Sequence, residues 1–509
     1  MLFRRFYDEN LAQASFLIAC ESTREGVIID PTIDIAFYTR AAGADRVRIA
    51  HVTETHVHAD FVSGARALAE ATGAALHLSG EGKSEWAYSE DALARANVLR
   101  HGTTFGVGDV RLEAVHTPGH TPEHLSFLVS DLARGEEPVG IVTGDFVFVG
   151  DVGRPDLLER AVGATGSTEG AARQLYDSIQ RIREYPDHLQ LWPGHGAGSA
   201  CGKSLGSMPQ STLGYEKLFN WAFASLSEQE FVAKVLKDQP VPPRYFASMK
   251  TINRKAAGIS TPPEPKYLEL DDIEQALGSA ATVVDCRPAQ KFAAGHIPGT
   301  INIPLGKSFL NWAGALVPAD SDLYIIIDAD GDDGARSVLR NLCKIGLTRV
   351  RGIFRGEVLH EWKSRRGELQ KLEHMDVATL SRVAGDGEVQ VIDVRNPDEW
   401  SEGHLPGATH VPLAALPAAI GNLDSSAPIV LHCKGGGRSS IATSLLQARG
   451  FANVTNLTGG YEGWVAAGLP TEKDTEGRSP DWKSKRSVKS TPARSSARTS
   501  SKGKARTKK

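Results

Sequence analysis

Two histidines and a carboxylate alternate in the segment Thr55–Phe61 of this 509-residue chain. If the segment is extended, His56, His58 and Asp60 project from one face, because strand side chains alternate with a period of two residues. Two imidazoles and a carboxylate are suitable ligands for a divalent transition metal. Further metal-binding residue types follow at glycine-containing turns beside apolar strands, namely His120, Asp145 and His195. The ordered set predicts a metal site rather than isolated exposed histidines.

A cysteine near the carboxyl end has the sequence setting of a catalytic nucleophile. The apolar run Ile429–His432 predicts a strand that leads into Cys433, three glycines and a helix that begins near Arg438. Glycines allow backbone N–H groups to point towards a sulfur atom, and the helix N-terminus, Lys434 and Arg438 add positive potential. Such surroundings stabilise a thiolate. We therefore predict that Cys433 is catalytic with Lys434 and Arg438 beside it, since a structural cysteine needs neither the glycines nor the cations.

An internal repeat places a second copy of this unit upstream. Three segments recur at a constant offset, namely Val283–Arg287 as Val391–Arg395, Gly295–Gly299 as Gly403–Gly407, and Ile303–Leu305 as Val411–Leu413. In the first copy the stretch 325–336 corresponds to the cysteine loop, contains no cysteine and carries aspartates at 328, 330, 332 and 333. Carboxylates disfavour a thiolate and repel an anionic substrate. The first copy is therefore predicted to be catalytically inactive.

Two further residues are candidates for substrate contact. Arg154 follows Asp145 closely and offers a guanidinium to an anionic ligand. Cys201 lies beyond His195 in a glycine-rich loop with Lys203 nearby, which favours a reactive thiol close to the metal. A small structural cysteine in a loop is the equal alternative for Cys201.

The elements that must position these residues alternate between strands and helices. Strands are predicted at 47–53, 110–115, 125–129 and 141–143, and helices at 33–42, 64–71 and 171–183. Two sheets covered by helices, followed by two parallel α/β copies, indicate an α/β multidomain protein. The predicted parts are a metal-binding domain at 1–250, a linker at 251–264, the first copy at 265–368, the second copy at 369–474 and a tail at 475–509.

The amino-acid composition limits the kinds of protein that this chain can be. A hydrophobic content of 41% is typical of globular domains. Five scattered cysteines are too few for a disulfide framework and favour a reducing, cytoplasmic setting. No apolar stretch reaches the length of a membrane span. Residues 483–509 contain eleven Lys or Arg and no acid, which predicts a disordered tail that either contacts nucleic acid or an anionic surface or has no dedicated partner.

The ordered histidines and aspartates resemble the metallo-β-lactamase superfamily, an αββα sandwich, over about the first 250 residues. Hydrolases of that superfamily usually carry an HxHxDH motif and bind two zinc ions, whereas Phe61 replaces the last histidine here. The set is most similar to the persulfide dioxygenases, which implies one Fe(II) per chain. The positions that match their iron ligands are His56, His120 and Asp145. Residues then expected to orient the ligands are His58, Asp60 and His195.

The D-x-R and G-H-I/L-P-G signatures of the repeat resemble rhodanese domains, the sulfur transferases. The whole order resembles persulfide dioxygenase–rhodanese fusions of bacterial sulfide detoxification. That resemblance implies oxidation of a low-molecular-weight thiol persulfide by O2 to sulfite and free thiol, with sulfur transfer through Cys433 to or from thiosulfate. A homo-oligomer is expected. The alternatives are a zinc thioester hydrolase that resembles glyoxalase II and a sulfur carrier in which only Cys433 works.

Overall fold

Two six-stranded sheets face each other in the first half of the chain. The computed structural model describes residues 1–82, 86–157, 159, 167–199, 201–203, 205–237, 239, 242–256, 262–328, 331–384 and 389–473, so the predicted tail at 475–509 lies outside the described residues. Within these ranges the sheet orders are β1-β2-β3-β4-β5-β6 and β12-β11-β10-β9-β8-β7. The first sheet contains β1 Leu2–Asp8, β2 Gln13–Ala19, β3 Glu25–Ile29, β4 Arg48–Thr53, β5 Ala75–Ser79 and β6 Asn97–Leu99. The second contains β7 Thr104–Val107, β8 Val110–His116, β9 Leu125–Asp131, β10 Pro138–Gly144, β11 Gln190–Pro193 and β12 Ser211–Thr212.

Strand β2 shows how the core forms between these sheets. Phe16 and Ile18 pack in one buried cluster with Phe127 of β9 in the second sheet. Leu17 packs instead in the cluster that contains Leu68 of the helical layer. The two clusters take alternate residues because successive side chains of a strand project to opposite faces. A strand that is apolar throughout can therefore contribute side chains to two hydrophobic cores.

Helices cover the outer faces of both sheets. They are α1 Ile35–Ala44, α2 Ala65–Thr72, α3 Glu90–Leu93, α4 Thr168–Ile182, α5 Leu213–Phe219, α6 Glu228–Leu236 and α7 Phe246–Arg254. Leu175 and Ile179 of α4, one helical turn apart, pack with Ile141 of β10. The αββα sandwich predicted from the sequence is confirmed.

The two copies of the repeat each form a smaller parallel sheet with helices around it. The first copy contains β13 Thr282–Asp285, β14 Ile301–Asn302, β15 Leu323–Ile327, β16 Val350–Arg355, α8 Leu270–Leu277, α9 Ala289–Ala294, α10 Phe309–Leu316, α11 Gly331–Lys344 and α12 Val358–Arg365. The second contains β17 Glu373–Met375, β18 Gln390–Asp393, β19 Thr409–His410, β20 Ile429–His432, β21 Val454–Leu457, α13 Val377–Val383, α14 Pro397–Glu402, α15 Leu416–Ala419, α16 Gly437–Ala448 and α17 Gly460–Ala466. The sheet orders are β14-β13-β15-β16 and β17-β21-β20-β18-β19. The predicted pair of parallel α/β copies is confirmed.

The first copy contacts both of its neighbours. The N–H of Val62, in the predicted metal loop, donates to the carbonyl oxygen of Lys344 at 2.7 Å. The Lys344 ammonium pairs with Asp8 at 2.5 Å. On the other side, the N–H of Asn302 donates to Ser444 Oγ of the second copy at 3.0 Å. Residues 1–473 form one compact unit through such contacts.

The segment predicted to be a linker begins inside a helix. Helix α7 ends at Arg254, so the first four residues of 251–264 are helical. Residues 257–261 of this segment lie outside the described part of the chain. The domain boundaries themselves stay a prediction.

The five cysteines are all free thiols, as expected of a chain without a disulfide framework. Each of them lies in the described part of the chain and is buried. Among the residues that the structure describes, no helix is both long enough and apolar enough to cross a membrane.

A glycine of the first copy tests how tightly this copy packs on the metal-binding half. A Cβ added at Gly314 in α10 would overlap the ring of Tyr245, whereas one added at Gly43 in α1 would meet no atom within 4 Å. We expect Gly314→Ala to destabilise the protein by about 1–3 kcal/mol through overpacking. The matched control Gly43→Ala should stabilise it by up to about 1 kcal/mol, since alanine favours a helix. Thermal denaturation followed by circular dichroism checks both, and equal midpoints would contradict the packing described here.

Candidate metal centre and cysteine loop

Three of the predicted ligands converge in the interior of the sandwich. One ligand atom each of His56, His120 and Asp145 lie within 4.8 Å of one another, and all three residues are buried. Nε2 of His120 lies 3.4 Å and Nε2 of His56 4.0 Å from Oδ2 of Asp145. Nε2 of His56 and Oδ2 of Asp145 are buried and have no hydrogen-bond partner among the described residues. Because buried polar atoms are normally paired, this donor set fits a bound cation.

The other ring nitrogens of the two histidines are hydrogen-bonded in the way that a metal site requires. Nδ1 of His120 donates to the carbonyl oxygen of Arg154 at 3.0 Å, and Nδ1 of His56 lies 2.9 Å from Thr55 Oγ1. These bonds leave Nε2 free to bind a metal. Burial, ahead of any neighbouring charge, lowers the pKa of both histidines, that of His56 well below its ordinary value. Both imidazoles are therefore neutral, which is the form that binds a metal.

A second group of metal-binding residue types adjoins this centre. Asp60, His195 and Cys201 also offer ligand atoms within 4.8 Å of one another. Nε2 of His195 lies 3.2 Å from Oδ2 of Asp60 and 3.5 Å from Oδ1 of Asp145. Nδ1 of His195 donates to the carbonyl oxygen of Ala12 at 2.9 Å. The structure thus brings Asp60, His195 and the predicted ligand Asp145 together.

The thiol of Cys201 is poorly suited to nucleophilic chemistry. Its side chain is buried, and burial together with the charge of Asp60 raises its pKa to about 12. A thiol with such a pKa remains protonated at neutral pH. The sequence left a reactive and a structural cysteine equally open, and the electrostatics favour the unreactive one.

His58 lies against His56, with ring centroids 4.2 Å apart, but its Nε2 points to Asp30. Strand β4 ends at Thr53, so the segment around His58 is a loop and not the extended strand considered above. Nε2 of His58 lies 3.1 Å from Oδ1 of Asp30, whose carboxylate also accepts from Thr55 N at 2.7 Å. Asp30 raises the pKa of His58 to about 9 although burial opposes this. The idea of a single face was wrong because the chain leaves the strand before His56.

Phe61 packs where a two-zinc hydrolase would place its last histidine. Its side chain is fully buried, and its ring lies 4.3 Å from the ring of His58. Phenylalanine has no atom that can bind a metal.

Side chains that the sequence did not single out anchor the metal loop. Asn253 of α7 donates to the carbonyl oxygens of His58 and Phe61 at 2.8 and 2.7 Å and accepts from Ser63 N at 3.0 Å. Glu123 accepts from Val57 N at 2.9 Å. No motif marks Asn253, which lies 195 positions from His58 in the sequence.

His124 is a further residue that the sequence reading missed. Its Nε2 accepts from the N–H of Asp145 at 3.1 Å, and its Nδ1 lies 2.8 Å from Thr117 Oγ1. This histidine therefore fixes the backbone of the carboxylate ligand. Its position four residues after His120 was the available signal.

Arg154 is placed beside the centre, but its charge is already engaged. The guanidinium is fully buried and donates to both carboxylate oxygens of Asp156 at 2.8 and 2.9 Å. The carbonyl oxygen of Arg154 accepts from His120. This backbone contact orients the ring of the predicted metal ligand His120. Direct binding of substrate by Arg154 stays a prediction.

The predicted nucleophile of the second copy lies at the end of β20 in a tight loop. Cys433 is 2% exposed, and its sulfur accepts from Gly436 N at 3.1 Å. Ser439 Oγ, which the sequence reading did not include, donates to the same sulfur at 3.5 Å. Gly436 has a φ of 104°, a backbone conformation that favours glycine. Helix α16 begins at Gly437, so its positive end lies at this loop.

Both cations of the loop are paired with carboxylates. Arg438 makes a two-pronged ion pair with Glu399, with both N–O distances 2.6 Å. Lys434 lies 3.6 Å from Glu462, and both of these side chains are mostly exposed. The net positive potential expected from Lys434 and Arg438 is therefore largely compensated in this structure.

Strand pairing identifies the residue of the first copy that occupies the position of Cys433. Asp393 pairs with His432 in the second copy, and its counterpart Asp285 pairs with Ile326 in the first. The next residue, Ile327, therefore corresponds to Cys433. The sequence comparison aligned residue 325 with residue 429 and was displaced by two residues, because strand β15 begins at Leu323 and strand β20 at Ile429.

The aspartates that follow Ile327 are largely neutralised. Asp328 pairs with Lys291 at 2.7 Å, and Asp332 accepts from the hydroxyl of Tyr267 at 2.8 Å. Asp333 lies 3.5 Å from Arg336, and residue 330 lies outside the described part of the chain. Position 327 thus lacks the thiol that the second copy carries at Cys433.

Comparisons with known proteins agree with this architecture. Residues 9–195 match the metallo-beta-lactamase superfamily, and residues 269–356 and 376–467 each match the rhodanese-like domain. A metallo-beta-lactamase from Staphylococcus aureus, whose crystal structure is known, is 40% identical to this chain in sequence. The match covers 70% of this chain and 99% of that protein, with a TM-score of 0.62.

Curated relatives match about half of the chain. A mitochondrial persulfide dioxygenase of Bos taurus is 25% identical over 52% of this chain and 91% of its own length. A probable polyketide biosynthesis zinc-dependent hydrolase of Bacillus velezensis is 25% identical over 41% of this chain and 84% of its own. A beta-lactamase hydrolase-like protein of Xylella fastidiosa is 26% identical over 51% of this chain, and the match spans 61% of that protein.

The ion pair of Arg438 generates a prediction about anion binding. Glu399→Gln should lower the KM for thiosulfate about three- to tenfold, because a partly buried pair worth about 1 kcal/mol no longer competes for the guanidinium. Glu462→Gln is the matched control and should change this KM less than twofold, since the Lys434–Glu462 pair is exposed. Steady-state sulfur transfer from thiosulfate to cyanide measures both. A higher KM in Glu399→Gln would mean that Glu399 holds Arg438 in its working position.

Proposed function

Since the chain belongs to the metallo-β-lactamase superfamily and carries two rhodanese-like domains, we propose that it is a two-site enzyme of sulfur metabolism. The metal centre oxidises a low-molecular-weight thiol persulfide with O2 and water to sulfite and the free thiol. The second copy transfers sulfane sulfur through Cys433 to or from thiosulfate. The first copy is catalytically inactive.

The observation that carries the proposal is the donor set of the metal centre. Two histidines and one carboxylate converge, and Phe61 stands where a second zinc ion would need a ligand. This set with open positions is typical of non-haem Fe(II) oxygenases. His56, His120 and Asp145 would hold Fe(II), which would supply the capacity to activate O2 towards the persulfide sulfur. The relative described as a persulfide dioxygenase supports the assignment.

The chain's own groups prepare this site for such a metal. The Arg154 carbonyl oxygen and the Thr55 hydroxyl orient the rings of His120 and His56. Burial keeps both rings neutral at physiological pH. Enclosure of the site also limits loss of the reactive substrate to bulk water.

In the second copy the chemistry is a sulfur exchange at Cys433. The Cys433 thiolate attacks the outer sulfur of a persulfide, the S–S bond to the carrier breaks, and the carrier leaves as a thiol with the proton. Sulfite then attacks the outer sulfur now held on Cys433, which forms thiosulfate and releases the thiolate. Gly436 N–H and Ser439 hydroxyl donate to the sulfur and stabilise its negative charge. Arg438 attracts the anion when its bond to Glu399 opens.

A zinc-dependent thioester hydrolase is the second candidate. Asp60, His195 and Cys201 gather beside Asp145 and offer donors for a further cation. A zinc-dependent hydrolase is among the relatives. Phe61 argues against this reading, because phenylalanine cannot bind a metal and stands where a two-zinc hydrolase needs a ligand.

The five free cysteines favour a reducing compartment, and we propose the cytoplasm.

Metal content and oxygen uptake test the first site. Protein purified without oxygen should contain one iron per chain and should consume O2 when given a thiol persulfide, with sulfite as the product. Elemental analysis and an oxygen electrode measure these quantities. Two zinc ions per chain, thioester hydrolysis and no oxygen uptake would establish the hydrolase instead.

The two activities should separate by mutation because their residues lie in different domains. His120→Ala should lower oxygen uptake at least a hundredfold by removing a ligand, consistent with the 10–100-fold effects seen even for groups that only orient ligands. It should leave sulfur transfer within twofold of the wild type. Cys433→Ser should abolish sulfur transfer and leave sulfite as the oxidation product. Loss of oxygen uptake in Cys433→Ser would show that the two sites form one obligatory cycle.

A further inference from the structure

Helix α7 is enclosed between the metal loop and the inactive first copy. On one side, Asn253 binds the loop through three hydrogen bonds. On the other side, Tyr245 and Met249 meet glycines of the first copy so closely that a Cβ at Gly314 or Gly346 would overlap them. The first copy is therefore fixed against the wall of the metal centre with little space between them.

A cavity of about 170 Å³ opens along this junction. Its lining includes Asp60 of the metal loop, Asn10 and Tyr245, together with Lys307, Ser308 and Asn311 of the inactive copy. The cavity therefore has walls from two domains, and the inactive copy supplies part of its polar lining.

The inner end of the cavity ends at Asp60, beside the metal centre. Asp60 is 5% exposed, and its carboxylate faces His195. Nε2 of His195, which lies 3.5 Å from the predicted ligand Asp145, is 3.2 Å from Asp60 Oδ2. A molecule that entered the cavity would place its far end beside Asp60, which His195 connects to the predicted ligand Asp145.

The outer end of the cavity carries a cation. Glu9, which also lines the cavity, lies 4.0 Å from Lys307, whose side chain is 87% exposed. Ser308 immediately precedes helix α10, and its side chain does not cap that helix. The first turn of α10 lines the cavity through Asn311, so the positive end of the helix adds to the charge of Lys307.

We propose that the inactive copy completes the substrate site of the metal centre. The carrier thiol occupies the cavity with its persulfide sulfur beside Asp60 and an anionic group at Lys307 and Ser308. The substrate class is thus an anionic low-molecular-weight thiol. A carboxylate of a peptide thiol and a phosphate of a nucleotide thiol share this chemistry. The inference rests on the function proposed above and assigns a binding role to a domain that has lost its nucleophile.

Oxygen-uptake kinetics of the full-length holoenzyme test this inference. Lys307→Gln should raise the KM for glutathione persulfide or coenzyme A persulfide about three- to tenfold, as expected for loss of about 1 kcal/mol from one partly screened charge pair. It should leave kcat within twofold and should not change the KM for the neutral persulfide of 2-mercaptoethanol. Lys291→Gln is the matched control, since that lysine lies in the same copy but pairs with Asp328. A larger effect on glutathione persulfide would identify a carboxylate as the bound group, and a larger effect on coenzyme A persulfide would identify a phosphate.

A binding measurement separates this inference from the proposed activity. The S-methyl thioethers of glutathione and coenzyme A are unreactive, and isothermal titration calorimetry should give at least one of them a Kd about three- to tenfold weaker for Lys307→Gln than for the wild type. Absence of oxygen uptake by wild-type protein, together with this weakened binding, would overturn the oxidation chemistry and retain the site. Equal affinities of both proteins, no binding to either, or a KM change that also affects the neutral persulfide would overturn the site.

Discussion

The backbone of residues 54–62 lies outside the strands of both sheets, and this constraint ties distant parts of the molecule to the metal centre. Buried N–H and C=O groups must find partners, and each one left unpaired costs about 1–3 kcal/mol. Asn253 satisfies three such groups, and the carbonyl oxygen of Lys344 satisfies a fourth. The placement of His56 and Asp60 thus depends on a helix at the end of the sandwich and on a helix of the neighbouring copy.

The first copy retains the scaffold of the second but has no thiol at the position equivalent to Cys433. Asp285 and Arg287 form a buried ion pair at 2.7 Å, which mirrors the pair of Asp393 and Arg395 at 2.6 Å. These pairs fix the turn behind the loop and do not need a nucleophile. Ile327 fills the place of the thiol with an apolar side chain. A stable surface that packs on the metal-binding half therefore persists without sulfur-transfer chemistry.

Charge is arranged differently at the two sites. At the metal centre, buried carboxylates and neutral imidazoles converge with unpaired acceptor atoms, an arrangement that a cation would stabilise. At the cysteine loop, Arg438 and Lys434 are each paired with a glutamate. An anion at this loop would have to compete with Glu399 for Arg438, whereas Gly436 N–H and the Ser439 hydroxyl are neutral donors to the Cys433 sulfur.

The sequence by itself determined the αββα sandwich, the parallel repeat and the cysteine loop, because each depends on local periodicity or on residues adjacent in the chain. A family resemblance identified His56, His120 and Asp145, and their role as metal ligands stays a prediction. Tertiary structure alone decided that His58 faces Asp30, 28 positions away, and that Arg438 pairs with Glu399, 39 positions away. It also showed that Ile327 occupies the position in the first copy that Cys433 occupies in the second, because strand register depends on hydrogen bonds to neighbouring strands. Such partners come from separate elements brought together by packing, and no local period in the sequence marks them.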